Sequence, residues 1–432
     1  MRRTAYLGAR KRVGPLVSVI TGVLMLLMAF SPGGSAFAQG MQPGVTGVAG
    51  GLTNPGPVAL GDDGSVYVAE AGMGGAEKFS DPEAGSGTRG TTGQITRIGA
   101  DGSRTVIARN LPSTMSEEGA SGASDMIYGN GALWAVWAGA PPGLQRLPLE
   151  GSLVRIDLNT GEARAVADLV GFEAKNNPDP NQVDSNPYGL TLGPDGMVYV
   201  ADAGGNDVLK VDPNTGQVSL VAVIPGLPVP AEQEQPGGNP ERGGKQELDP
   251  VPTAVQFGPD GALYVSLLSG APFPTGASRV VRVTMDGKVS DAVPGLTMTT
   301  DLDKGPGGSW YALQVAQFSF TSTPPGPLPA SGAIIQIGAN GQRQTLVSGL
   351  TFVQKIAVDN SGDIYASMVT GDLLRLSPSA AGGEIKLATP GMPSTGSPAQ
   401  RVDPLFGLAG VLLLALGVSL RLYAVRRAPA ER

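Results

Sequence analysis

The sequence contains neither cysteine nor histidine. That double absence excludes disulfides, thiol nucleophiles, imidazole bases, Ser-His-Asp triads and the usual His/Cys zinc or copper sites. Any chemistry must rest on Asp, Glu, Lys, Tyr or an oxygen-liganded cation such as calcium. Aromatic residues are scarce, at 5%, and charged residues make up 16%. The sequence also lacks a P-loop, a dinucleotide-binding glycine fingerprint and a basic aromatic patch. What abounds is turn-forming residues. With 65 Gly and 37 Pro in 432 residues, the chain has too many helix breakers for a helical protein and length enough for a large core.

Both ends carry export and anchoring signals. Arg2, Arg3, Arg10, Lys11 and Arg12 precede an apolar run over 17–30, and Ala36-Phe37-Ala38 offers a small-residue cleavage site, so 1–38 reads as a signal peptide. An uncleaved membrane anchor is the alternative. Residues 405–425 are apolar except for Ser419 and Arg421, long enough for a transmembrane helix, and a basic tail over 426–432 places that end in the cytoplasm. Between them and the main body, 379–404 is a Ser/Pro/Gly-rich stalk containing Met392-Pro393-Ser394-Thr395-Gly396. Motif, apolar span and basic tail resemble a sortase cell-wall sorting signal, with Met392 where that signal has Leu. A retained single-span anchor is the alternative, and either one holds the body at the cell surface. Net charge is −7 overall. Residues 1–38 carry five basic and no acidic residues, and 397–432 five basic and two acidic, so the segment between carries −15. Such an acidic body is a poor partner for nucleic acid.

Between the signals one phrase recurs. It reads Ala59-Leu60-Gly61-Asp62-Asp63-Gly64-Ser65-Val66-Tyr67-Val68-Ala69, returns at Thr191 and Gln256, and recurs in weaker form at Met126, Leu302 and Ile356. Each copy is an apolar strand, a tight turn and a second β-branched or aromatic strand. A second hairpin follows most copies, with turns at Asp101-Gly102, Asn159-Thr160-Gly161, Asn214-Thr215-Gly216, Asp286-Gly287 and Asn340-Gly341. The pattern predicts an all-β, six-bladed β-propeller of four-stranded antiparallel blades over 39–378. Sandwiches do not repeat a four-strand phrase, and solenoid periods are shorter and stricter. Residues 45–49 resemble a fourth strand yet precede the first unit, so they are expected to close the ring against 372–376.

The stretch from Val45 to Leu376 resembles the ScyD/ScyE family of exported bacterial proteins and, more loosely, NHL-repeat propellers. The resemblance is carried by Asp184-Ser185-Asn186-Pro187-Tyr188-Gly189-Leu190, Tyr199-Val200-Ala201-Asp202-Ala203-Gly204-Gly205-Asn206-Asp207 and Pro272-Phe273-Pro274. It implies the propeller fold and no defined reaction.

In an up-and-down blade, the first-to-second and third-to-fourth turns share one face, and those turns are all tight. The long insertions, at 71–93, 138–150, 171–186, 227–252, 267–277 and 315–331, fall on the other. Such loops are either a recognition face or solvated spacers. Two registers point toward the channel mouth on that face: Glu70, Trp137, Asp202, Leu267, Gln314 and Met368 in one, and Pro57, Asp125, Gly189, Ala254, Asp301 and Lys355 in the other, with Asn54 and Asn186 just above. From these, Asn54, Glu70, Asp125, Trp137, Asn186, Asp202, Asp301, Gln314 and Lys355 form a candidate ligand site, and Glu70, Asp125, Asn186 and Asp202 a candidate calcium site. The alternative is that polar strand ends simply cap hairpins or meet water. The family pattern has Glu in the first register of the fourth and fifth units, where this chain has Leu267 and Gln314. Asp179, Asn181 and Asp184 are spaced like calcium-loop ligands but lack the mid-loop glycine and closing glutamate. Trp134 falls at the Tyr67 position and is expected in the blade core.

The functional expectation is a cell-surface binding module whose long-loop face takes an extracellular protein, glycan or small ligand. The alternatives are a calcium-dependent, gluconolactonase-like hydrolase with an acidic channel site, or a structural envelope component.

Overall fold

The computed structural model describes residues 42–387 apart from 82–84, 117–118, 142–143, 181–182, 235, 240–241, 320–325 and 352. The signal peptide, the Met392–Gly396 motif, the apolar span over 405–425 and the basic tail lie outside the described residues, as does Asn181. Among the described residues no helix is long and apolar enough to cross a membrane.

The repeated phrase folds as its residues require. Gly64, Gly196 and Gly261 adopt φ of 77°, 77° and 75°, a left-handed conformation that glycine takes without steric cost. One residue earlier an aspartate holds the turn: Asp63 and Asp195 accept the backbone N–H of Ser65 and Met197 at 3.0 and 3.2 Å. The second strands that follow are buried along their whole length in Val66–Glu70 and Val198–Asp202.

Six four-stranded antiparallel blades result. Blade one comprises Pro55–Leu60, Val66–Glu70, Gly85–Ile98 and Arg104–Ser116. Blade two comprises Ala123–Gly129, Ala132–Trp137, Ser152–Asp157 and Ala163–Asp168; blade three, Pro187–Leu192, Val198–Asp202, Asp207–Val211 and Val218–Val223. Blade four comprises Pro252–Phe257, Leu263–Leu267, Ser278–Val283 and Val289–Leu296; blade five, Thr299–Lys304, Trp310–Gln314, Gly332–Ile337 and Arg343–Leu350. Blade six takes Val353–Val358, Ile364–Met368 and Asp372–Leu376 from the end of the domain and Val45–Ala49 from its start. That last pairing is antiparallel, with Val45 opposite Leu376 and Thr46 opposite Arg375, as the sequence predicts.

The core lies between blades rather than in one centre. Tyr67, Leu133 and Trp137 fill the first interface; Trp134, Leu190 and Val200 the second; Tyr199, Phe257 and Val265 the third. The sixth, between blades six and one, is built from Ala49, Leu52, Val58, Val68, Ala357 and Leu373, so the closing segment contributes side chains as well as hydrogen bonds. The first strands form the channel wall.

Two features depart from the sequence reading. The described residues of 71–93 are not an open loop: the outer hairpin of blade one runs on past the blade, flanked by Glu77–Asp81 on one side and Gly119–Ser121 on the other. The domain also continues past residue 378, where a stalk is expected. A short helix, Pro378–Ala381, turns the chain back, and Ile385–Lys386 pairs in parallel with Arg343–Leu350 of blade five.

Deleting residues 39–52 removes the fourth strand of blade six and its share of the last core. We expect the melting temperature to fall by roughly 10 °C or more, read by circular dichroism. An unchanged melt would mean that the ring does not depend on this closure.

Candidate functional site

The two expected registers behave differently. The first turns into the blades. Glu70 accepts the Thr53 N–H at 2.6 Å, together with Gln94 Nε2 at 2.8 Å and Thr96 Oγ1 at 2.5 Å. Asp202 accepts the Asn186 N–H at 2.6 Å, the Gly204 and Gly205 N–H groups and the Ser185 hydroxyl. Gln314 accepts the Thr297 N–H at 2.7 Å. In blades one, three and five the same position thus brackets the link that enters the blade, because a buried backbone N–H needs an acceptor. In blades two, four and six the position holds Trp137, Leu267 and Met368, which pack into or against the inter-blade cores. Glu70, Trp137, Asp202 and Gln314 are therefore framework residues, not channel-mouth ligands.

The second register does reach the channel. Lys355 of blade six, 3% exposed, places its ammonium 3.6 Å from Asp301 of blade five and 3.9 Å from Asp125 of blade two. Tyr188 of blade three lies under it, with Nζ 4.6 Å from the ring centroid. Each aspartate also clips the next blade: Asp125 accepts the Leu190 N–H at 3.0 Å, and Asp301 the Ile356 N–H at 2.9 Å. Burial alone would push the Lys355 ammonium down, but Asp125 and Asp301 more than offset it and hold it above its ordinary value. Burial raises the Asp125 carboxyl to about 6, with Asp301 adding to the rise and Lys355 opposing it. Below them Asp303, raised by burial to about 7, accepts the Val358 N–H at 2.7 Å. Pro57 lines the mouth. Gly189 has no room for a side chain, since a Cβ there would sit 2.6 Å from Ala254 Cα.

Tyr188 was not among the expected site residues. Its place follows from a register shift between first and second strands, at Pro187/Gly189 in blade three and at the matching position of all six blades. A bulge of this kind re-aims the side chains beside it. The motif Pro187-Tyr188-Gly189 is its trace in the sequence.

Above Lys355 opens a cavity of about 150 Å³ lined by residues that include Asn54, Ser121, Ser124, Tyr188 and Gln354. Asn54, at φ 51°, donates from Nδ2 to the Gly72 carbonyl. Asn186 is buried under its own link, away from this lining.

The proposed calcium ligands do not fit that ion. Glu70 and Asp202 face into different blades, and Asp125 faces the Lys355 ammonium, which repels a cation. Among the described residues no three acidic side chains are placed to hold a metal.

A second group of acids was only partly anticipated. The helix Leu169–Asn176, capped by Asp168, turns Glu173 inward against Asp202 and Asp207 at the end of blade three. Burial and the neighbouring Asp202 raise Glu173 to about 7, and burial with Asp202 and Glu173 raises Asp207 well above the usual carboxylate range. Arg242, from the 227–252 segment, reaches Asp179 at 2.5 Å and Asp249 at 3.7 Å and closes this nest.

No family model matches the sequence, nor does any curated protein match it significantly. Solved structures do resemble the fold. Virginiamycin B lyase from Staphylococcus aureus is 14% identical over 78% of this chain and 99% of its own, with a TM-score of 0.42. XC5397 from Xanthomonas campestris, described as a gluconolactonase, is 12% identical over 77% of this chain and 89% of its own, at 0.48. A Bacteroides thetaiotaomicron protein of unknown function is 10% identical over 78% and 72%, at 0.47. Likeness at this level says nothing about activity.

The raised carboxyls set a sign for stability. A folded pKa above the unfolded one gives stability that is full below the unfolded value, near 4, and is lost as pH rises through the folded value. For Glu173 that loss runs from about pH 4 to beyond 7. Asp207 is raised as well, so between pH 5 and 8 the melting temperature should fall by roughly 5 °C more in the parent protein than in Asp207→Asn, which takes one of the two raised carboxyls out of the titration. Parallel curves would show that the nest carries no such linkage.

Proposed function

We propose that this protein is an exported propeller, held at the cell surface by its C-terminus, that binds an extracellular protein, glycan or small ligand through its long-loop face. The same reading takes it as a ScyD/ScyE-type surface propeller. The observation that carries the proposal is that the elaborations gathered on one face are folded rather than solvated. Val251, Leu268, Phe273, Met298, Val315 and Ala316, from the links and insertions of blades four and five, form an apolar cluster of their own with Tyr188 of the first strand of blade three. Arg242 pins the 227–252 segment, and Arg89, 1% exposed, joins the blade-one extension to Glu150 at 3.2 Å. Ordered loops on a rigid scaffold lose little entropy on binding. Met73, Val183 and Leu328, all on long segments, are large apolar side chains left at the surface.

The second reading, a calcium-dependent hydrolase, draws on the buried carboxyls raised toward neutrality, which suit acid–base work. Their placement argues against calcium, as set out above.

Shortening 227–252 or 315–331 should abolish recovery of an extracellular partner by the immobilised protein, whereas replacing the Asp286-Gly287 turn on the opposite face should leave it intact. Equal recovery from all variants would remove the recognition face. For the metal, a ligand that binds only the folded state raises the melting temperature. We expect calcium and chelator to give melts within about 1 °C of each other. A rise of several degrees with calcium, abolished by Asp202→Asn, would restore the hydrolase.

A further inference from the structure

The channel-mouth cavity combines two properties that restrict what it can hold. The first is a donor without an acceptor. Lys355 is buried, yet among the described residues no group lies within hydrogen-bond distance of its Nζ; the ion pairs at 3.6 and 3.9 Å are longer contacts. A buried ammonium with three unused protons favours any acceptor that can reach it. The second is charge. Lys355 faces Asp125 and Asp301, so the ionised trio carries −1 before anything enters. An anionic group would approach Lys355 against two carboxylates, and a cationic group would meet the ammonium itself. A neutral oxygen suffers neither penalty.

The rest of the lining carries no charge and sets polar groups beside apolar ones from Pro55, Pro57, Ala71, Met115 and Val369. Ser121 and Ser124 contribute hydroxyls, Asn54 and Gln354 carboxamides, and the backbone over 119–124 contributes peptide groups. These supply donors and acceptors with no further charge. At about 150 Å³ the cavity has room for several water-sized groups and none for a chain.

We infer that the channel mouth is a binding site for the edge of one neutral, hydroxyl-bearing sugar or polyol, with Lys355 donating to a hydroxyl oxygen. This deepens the reading of the long-loop face as a recognition surface and rests on it. It names the ligand class that the face would present to the channel. A free sugar and a glycan terminus share the chemistry.

The test compares three probes of one shape and different charge on the purified full-length protein: glucose, glucuronate and glucosamine, each at about 10 mM, the range suited to millimolar affinity. Saturation-transfer NMR should show glucose with at least a several-fold stronger signal than either charged probe. Lys355→Met should remove that signal. Because that variant leaves two buried aspartates unpaired, Ser124→Val serves beside it: the ion trio stays intact, and the glucose signal should fall several-fold with the melting temperature unchanged. Maltotriose as strong as glucose would point to a glycan terminus, and glucose alone to a free sugar. The inference is overturned if a charged probe equals or exceeds glucose, if no probe gives a signal, or if glucose binding survives both substitutions. Loop shortening that abolishes partner recovery while the glucose signal persists would leave both readings standing. A lost glucose signal with partner recovery intact in the full-length protein would sink this one alone.

Discussion

Ring closure is the constraint on which everything else depends. A propeller blade has two large faces, and each is apolar here because each packs on a neighbour. Without Val45–Ala49 beside Asp372–Leu376, blade six would end on an open edge, and Ala49, Leu52 and Leu373 would lose the interface they share with blade one. The channel trio needs the same closure. Its members come from blades two, five and six, which are brought round a common axis only when first and last blades meet. A lysine buried at the mouth is tolerable because two carboxylates from separate blades converge on it; removing one partner of such a buried pair typically costs about 3–5 kcal/mol.

The channel wall is joined from blade to blade by the same polar residues that define its chemistry. Asp125 links blades two and three, Asp301 and Asp303 link five and six, and Thr253 Oγ1 donates to the Thr299 carbonyl at 3.0 Å between four and five. Each aspartate therefore has two tasks. One oxygen of Asp125 and of Asp301 accepts a neighbour's backbone N–H, while the other lies toward Lys355. That division fixes the carboxylates in place, so a ligand at the mouth meets a preset arrangement rather than mobile side chains.

The fold was legible because its signals are local. Asp-Gly turns and period-two strands recur with enough fidelity to count blades, and the orphan fourth strand at 45–49 announces its own partner. The site was legible in part. Asp125, Asp301 and Lys355 share a register and do meet, whereas Glu70, Asp202 and Gln314 share one that turns inward. Strand-end polarity alone cannot separate the two, since each register has three polar or charged members among six and both lie at the same end of the blade. What separates them is the bulge at the start of each first strand, which shifts the pairing by a residue and has no composition of its own. Arg242 and Glu173 were invisible for a different reason. Their partners Asp179, Asp249 and Asp207 come from separated segments, and a loop that looks like a spacer gives no sign that a buried arginine anchors it.

The two faces also divide the acids. On the trimmed face, Asp63, Asp157 and Asp212 accept backbone N–H groups of their own turns, and Asp101 and Asp286 the hydroxyls of Ser103 and Thr284, which hold these carboxyls below their ordinary values. At the channel and on the elaborated face the direction reverses: burial raises Asp125, Glu150, Glu173, Asp184, Asp202, Asp207 and Asp303. The cause is architectural. Tight turns expose their carboxylates to water and surround them with donors, whereas folded insertions cover theirs and crowd them together. The carboxylates of the simple face therefore stay ionised, and several pair with basic neighbours, Asp63 with Arg97, Asp195 with Lys210 and Asp286 with Lys288, while burial brings Asp125 and Asp184 to about 6 and Glu173 and Asp303 to about 7.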